Sequence, residues 1–119
     1  QGIFAQCEFI DRRNICSSLQ LYGRYVVLSG IQDPGNTGMI IRTADALGLD
    51  GVILSNSCDI YNPKVVRATM GSLFRIPVFA DISEDEIADL EAQVQKLTDK
   101  YIAEVDKAVE EKTKEILTV

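Results

Sequence analysis

Residues 25–78 read YVVLSGIQDPGNTGMIIRTADALGLDGVILSNSCDIYNPKVVRATMGSLFRIPV, and the order of signals within them decides the fold. Tyr25 to Gly30 is an apolar, β-branched run of the kind that forms a buried strand. Asp33-Pro34-Gly35 punctuates it with turn-forming residues, and Asn36 or Thr37 is placed to cap a helix. That helix is expected from about Thr37 to Leu47, with Ile40, Ala44 and Leu47 on one face. Gly48 falls where a left-handed C-terminal cap belongs. Gly51 to Ser55 is the next strand. Asn62-Pro63 is a second helix start, with Asn as cap and Pro at the first helical position. The short helix yields near Gly71, and Phe74 to Phe79 predicts a third strand, held to an edge by Pro77. Strands and helices that alternate in this way imply an α/β fold: a short parallel sheet in β-α-β-α-β order with right-handed crossovers.

Outward from this stretch, Gly2 to Glu8 is apolar enough for a short strand. Asp11 to Tyr22 reads as a polar connection with a helical turn around Ser17–Leu21. On the other side the texture changes at Ser83. Ser83 and Glu86 form a capping box. Apolar residues then recur at Ile87, Leu90, Val94, Leu97, Tyr101, Val105, Ala108 and Ile116, over most of that run in three- and four-residue steps that draw one stripe along a helix. No Gly or Pro interrupts residues 83–119. A helix of about 30 residues would be roughly 45 Å long, longer than so small a sheet covers. Part of the stripe must meet a partner helix, a second copy of the chain, or solvent.

The 119 residues suit one modest core, and the 46% apolar content favours a folded chain. No apolar run is long enough to span a bilayer and no signal peptide opens the chain, which points to a cytoplasmic protein. Gln1 in place of Met suggests a processed or excised fragment. Cys7, Cys16 and Cys58 are odd in number and lack C-x-x-C spacing, so reduced thiols are expected rather than a disulfide framework or a metal site. The net charge of −6 is unevenly placed. Residues 1–82 carry seven acidic and seven basic side chains, whereas residues 83–119 carry eleven and five. A neutral front and an acidic tail exclude a dedicated, broadly basic nucleic-acid binder. Any RNA contact must come from a local cluster in the front half.

One such cluster is legible. A strand, Asp-Pro-Gly-Asn and a helix start bring backbone N–H groups and the positive helix end to one point, where phosphates bind readily. Arg42 lies six residues after Asn36, within reach of that loop, and an arginine can grip a phosphate bidentately. A plain β–α turn with one solvated arginine has the same spacing.

The wider pattern narrows the choice. Asp33, Pro34, Asn36, Gly38, Arg42, Thr43 and Ala44 form D-P-x-N-x-G-x-x-x-R-T-A. With the GVIL strand and the block NPKVVRATMGSLFRIP, this resembles the first half of the catalytic domain of SpoU-class RNA ribose 2′-O-methyltransferases, of the SPOUT superfamily. Thr69 stands where that family usually has Ser. The resemblance covers residues 1–81 and implies a truncated, Rossmann-like SPOUT half. It implies a catalytic role for Asn36, which would organise the loop, and for Arg42, which would bind the RNA backbone and assist deprotonation of the ribose 2′-hydroxyl. Lys64, Arg67 and Arg75 are further candidates for phosphate contact, with an ordinary charged surface as the alternative.

The resemblance also implies a methyl donor, S-adenosylmethionine, held in the parent family by a knotted C-terminal half. The G-x-E and S-x-N segments of that half do not occur after Val78, so no cofactor-binding residue is assigned and the chain is expected to be inactive alone. Residues 82–119 instead resemble the last helix of ribosome recycling factor, most clearly at Gln95–Ile102 and in the closing KEILTV. The chain therefore reads as a chimera, with two other readings beside it. One is a module that forms a homodimer through the C-terminal helix; the other is an active methyltransferase whose site a partner chain completes.

Overall fold

Tyr25–Ser29, apolar but for its last residue, satisfies its backbone as strand β1 and buries Leu28, while Val27 and Ser29 stay exposed. The computed structural model describes residues 2–10, 18–20 and 22–117. Helix α1 (Pro34–Ala46) follows, then strand β2 (Gly51–Ser55), helix α2 (Pro63–Ala68), a 3-10 turn at Ser72–Phe74, strand β3 (Val78–Phe79) and helix α3 (Glu84–Leu117). The strands are parallel in the order β1-β2-β3. Tyr25 pairs with Gly51 and Ser29 with Ser55, and Val52 pairs with Val78. Central β2 is buried along its whole length, which is why its sequence is continuously apolar rather than alternating. The expected α/β class, strand order and long terminal helix are all present.

Gln1–Glu84 and Asp85–Val119 are separate compact units. In the first, Leu28, Val52, Leu54 and Val78 of the sheet pack with Ile41 and Ala44 of α1, Val65 of α2, and Leu73 and Ile76 beyond it. The two helices approach closely at Gly38. A Cβ there would lie 2.4 Å from the Ala68 Cβ and 3.0 Å from the Val65 carbonyl oxygen. This contact turns the buried arc of α1 toward α2. Thr37, Gly38, Ile41 and Ala44 are buried, whereas Leu47, expected on the core face, is exposed and Ile40 only half-buried.

Several expected boundaries shift for identifiable reasons. Helix α1 begins at Pro34 rather than Thr37, because Asp33 is its cap. Asn62 caps α2 as expected, accepting from Lys64 N–H at 2.9 Å, and Gly48 adopts φ +67° after α1. Gly2–Glu8 forms no strand. That segment is instead anchored at its end, where the Phe9 ring meets Tyr61 at 4.8 Å and Ile10 N–H donates to the Tyr61 hydroxyl at 3.0 Å. Most of Phe74–Phe79 is turn. Arg75 and Ile76 N–H both donate to Ser72 O, spending amides that a ladder would need, and Pro77 has none. Only Val78–Phe79 pairs, at the sheet edge that Pro77 predicted. Of the helical turn expected around Ser17–Leu21 only residues 18–20 are described, and Cys16 lies outside the described residues.

The end of α2 is strained. Met70 has φ +51° and Gly71 φ +86°, consecutive left-handed residues that reverse the chain into the 3-10 turn. For a residue with a side chain that conformation costs about 1 kcal/mol, and Met70 is also 68% exposed. Cys7 and Cys58 carry free thiols, and the Cys58 sulfhydryl donates to Thr37 Oγ1 at 3.1 Å.

Helix α3 starts directly after the expected cap, Ser83, and runs 34 residues with none buried. Among the described residues no helix is long and apolar enough to cross a membrane.

Gly38→Ala tests the helix contact. Replacing a helical glycine ordinarily gains about 1 kcal/mol, but the added methyl meets a backbone carbonyl and a facing Cβ that cannot both retreat. Overpacking of this kind costs about 1–3 kcal/mol, so denaturant unfolding should register a net loss of about 1–2 kcal/mol. Unchanged or increased stability would show that α1 and α2 do not depend on this approach.

Candidate functional site

In an open parallel sheet the loops that follow the strands gather at their carboxyl ends, where ligands bind. Here the loops after β1 and β2 are stitched together. Gly30 N–H donates to Ser55 O at 3.0 Å and Cys58 N–H to Ile31 O at 2.9 Å. The Ser57 hydroxyl accepts from Ile31 N–H at 3.2 Å and donates toward Ser55 O and Leu28 O. Gln32 Nε2 donates to Asn56 O at 2.6 Å. The β1–α1 loop therefore starts from a fixed platform. Ser57 and Gln32 escaped sequence reasoning because their partners lie across a strand pairing that no local pattern encodes.

Asp33 then sets the chemistry of the helix start. Its carboxylate accepts Asn36 N–H at 2.7 Å and its carbonyl accepts Thr37 N–H at 3.0 Å. The expected phosphate cradle at this N-terminus is thus corrected: an anion is already there, and it belongs to the chain. A phosphate brought to the same amides would meet a like charge. Phosphate recognition on this face falls to side chains.

Those side chains divide into two groups. Arg42, Lys64 and Arg67 are exposed. Arg75 is committed: its Nε and Nη2 reach Asp45 Oδ2 at 2.9 and 2.7 Å, and Nη2 also donates to Ser72 Oγ at 3.0 Å. The Ser72 hydroxyl and the Arg75 guanidinium together hold the Asp45 carboxyl below its ordinary value of 3.8. Asp45 carried no sequence signal, being thirty residues from its partner. Asn36 and Arg42 do not come together along α1. Six residues at 3.6 per turn put them about 120° apart around the axis, on opposite flanks of the exposed face. Arg42 shares its flank with Gly38 and Asp45, four residues before and three after it, and so faces the end of α2.

This geometry has close relatives. A sequence model of the SpoU rRNA Methylase family matches residues 23–116. The chain belongs to the SpoU rRNA methylase family. It is 40% identical over 98 residues to the 23S rRNA (guanosine(2553)-2′-O)-methyltransferase RlmP of Bacillus subtilis, a match covering 82% of this chain and 38% of that protein. It is 42% identical over 71 residues to mitochondrial rRNA methyltransferase 3A of Danio rerio, covering 59% of this chain and 16% of the relative. The SpoU methyltransferase AviRb of Streptomyces viridochromogenes superposes with a TM-score of 0.61 at 35% identity, over 71% of this chain and 35% of that one. An AdoMet-bound rRNA methyltransferase from Sinorhizobium meliloti gives 0.57 at 42% identity, over 61% and 28%. The chain spans well under half the length of each of these relatives.

S-adenosylmethionine, the donor that the family uses, can be tested against the walls at the strand ends. A cavity of about 430 Å³ lies beyond β2 and β3, lined by Phe9, Ser57, Asp59, Ile60, Tyr61, Ala80 and Asp81. These residues do not fit the donor. The Asp59 carboxylate is taken by Tyr61 N–H at 2.9 Å, the Tyr61 hydroxyl by Ile10 N–H, and Ser57 by the loop platform. No glycine lines the cavity to let backbone amides approach a ligand.

Two measurements check the site's construction. Asp33→Ala removes the cap and should cost about 1 kcal/mol in denaturant unfolding, with Asn36 N–H losing its partner; no loss would mean that the carboxylate does not hold the helix start. Asp45→Asn should lower the melting temperature at neutral pH. Because the Asp45 carboxyl is lowered in the folded state, its stabilisation is complete above its ordinary value of 3.8 and disappears as pH falls through the lowered one. Parent and variant should therefore converge in acid, and a gap independent of pH would contradict the ion pair.

Proposed function

We propose that this chain forms the RNA-holding side of a ribose 2′-O-methyltransferase site. In this reading Arg42 grips a backbone phosphate next to the target ribose and helps deprotonate its 2′-hydroxyl. Asn36 orders the loop on the other flank, and Lys64 and Arg67 add sequence-neutral positioning charges. Arg75 is the weakest of the five candidates, since Asp45 already holds it. The observation that carries the reading is the contrast between the two arginines on this side of α1. Arg75 is neutralised by Asp45, whereas Arg42 is exposed and, among the described residues, has no hydrogen-bond or ion-pair partner.

The RNA is an rRNA or tRNA strand, and contact is weak because the charge of the front half sums to zero. Methyl transfer requires a donor held within reach of the acceptor oxygen, and on this reading the donor pocket lies outside this chain. On this reading the chain alone is catalytically silent, and a partner chain that supplied the donor pocket would restore activity. The likeness of residues 82–119 to ribosome recycling factor, and with it the chimera, rests on sequence alone, principally Gln95–Ile102. The SpoU match reaches residue 116 and so overlaps that segment.

Arg42→Ala should weaken affinity for a labelled rRNA fragment about tenfold, the worth of a charge-assisted contact near 1.5 kcal/mol. It should also flatten the salt dependence while leaving the melting temperature unchanged. Equal affinity for variant and parent would remove the phosphate role. Calorimetric titration with S-adenosylmethionine should give no saturable heat, and saturable binding would overturn the account of the donor.

A second reading is favoured by the stripe on α3, where Val94, Leu97, Tyr101, Val105 and Ile116 are all exposed. It takes α3 as the surface of a homodimer. Leu97→Asp should then shift the chain from dimer to monomer in sedimentation, because it puts an unpaired charge into an apolar contact; an unchanged mass would exclude this pairing.

A further inference from the structure

We infer that Met70 is the apolar platform on which the RNA places a base while Arg42 holds an adjoining phosphate, an inference that rests on the RNA reading above. The placement follows from two contacts that bracket Arg42. On its flank of α1, Gly38 abuts Ala68 and the Val65 carbonyl, and Asp45 pairs with Arg75 beside Ser72. Arg42 lies between Gly38 and Asp45, so the segment facing it is the one between Ala68 and Ser72. Of its three residues, Thr69 is fully buried with its hydroxyl donating to Val66 O at 2.7 Å, and Gly71 has no side chain. Met70 alone projects, and it is 68% exposed. Arg67, also exposed, is tied to the same turn, its carbonyl accepting Met70 N–H at 3.2 Å.

Two features make this a site rather than a stray surface methionine. The first is conformation. Met70 occupies the position after a helix where glycine is normally found, with φ +51°. A side chain held there against backbone preference is what a functional constraint leaves behind. The second is surroundings. An exposed, polarizable thioether on the same turn as exposed Arg67, opposite the flank of α1 that carries exposed Arg42, suits a ligand that alternates flat apolar rings with anions, as a nucleic-acid strand does. Methionine sulfur packs favourably against aromatic faces, and stacked bases tolerate any sequence because each has such a face.

The test measures binding of the full chain to a short fluorescein-labelled single-stranded RNA, with inorganic polyphosphate as a competitor that has charge and no bases. Met70→Gly should weaken RNA binding about threefold to tenfold, leave polyphosphate binding unchanged, and melt no lower than the parent, since glycine relieves the left-handed turn. Met70→Leu should keep RNA affinity within about twofold of the parent, as expected when an apolar surface is what matters. Met70→Gly binding RNA as tightly as the parent, with Arg42→Ala weakened, would overturn the platform and leave the RNA reading standing. Arg42→Ala also binding as the parent does would overturn both.

Discussion

The close approach of α1 and α2 is the constraint on which the rest of the first unit depends. Gly38 lets the helix axes come within a distance that any side chain would forbid, and a hydrogen atom facing Ala68 is what the geometry allows. Both helices then lie on one face of a three-stranded sheet and bury Ile41, Ala44 and Val65 against Leu28, Val52, Leu54 and Val78. The same approach rotates α1 so that Arg42 and Asp45 look across at the end of α2. Asp45 there finds Arg75, and Arg42 is left exposed. A packing requirement thus decides which arginine is structural and which is available.

Electrostatics within this frame are local. The chain's negative charge resides beyond residue 82, and the front half is neutral, so its surface field cannot gather RNA from a distance. The start of α1 does not help, because Asp33 claims its amides, the carboxylate taking Asn36 N–H and the carbonyl Thr37 N–H. A helix N-terminus is an anion site only while its amides are unclaimed. On the proposed reading, anchoring through Arg42, Lys64 and Arg67 would replace a backbone cradle with side chains, which would fix position less tightly and make binding more sensitive to salt.

The order of elements was legible in the sequence because each boundary is written in local chemistry: β-branched runs for β1 and β2, Asn62-Pro63 for α2, Gly48 after α1. The start of α1 was misplaced by three residues although the rule that located α2 would have found it. Asp33-Pro34 has the same cap-then-proline form as Asn62-Pro63, but Asp33-Pro34-Gly35 also reads as a turn, which moves the expected cap on to Asn36 or Thr37. The third strand was overestimated because Phe74–Phe79 is apolar enough for a ladder, while the bonds to Ser72 that consume its amides are invisible in one dimension. The site was legible as residue types and not as partnerships. Nothing in a linear reading separates Arg42 from Arg75, since the distinction is an ion pair spanning thirty positions.

The long helix shows the same division between an element and its use. Its existence follows from a capping box and an uninterrupted run without Gly or Pro. Its partner does not, because the period of the apolar stripe changes along its length. Ile87, Leu90, Val94, Leu97 and Tyr101 keep the heptad spacing that winds two helices into a left-handed coil. Beyond Tyr101 that spacing would call next on Glu104, Ala108, Glu111 and Glu115, of which only Ala108 is apolar, while other apolar residues follow an eleven-residue step from Val94 to Val105 to Ile116. Such a step favours the opposite hand. One straight partner cannot follow both halves of the stripe. Any helix that pairs with this one should therefore engage the stretch up to Tyr101 and diverge after it. A contact of that length lies nearer to a weak, reversible association than to an obligate coiled coil.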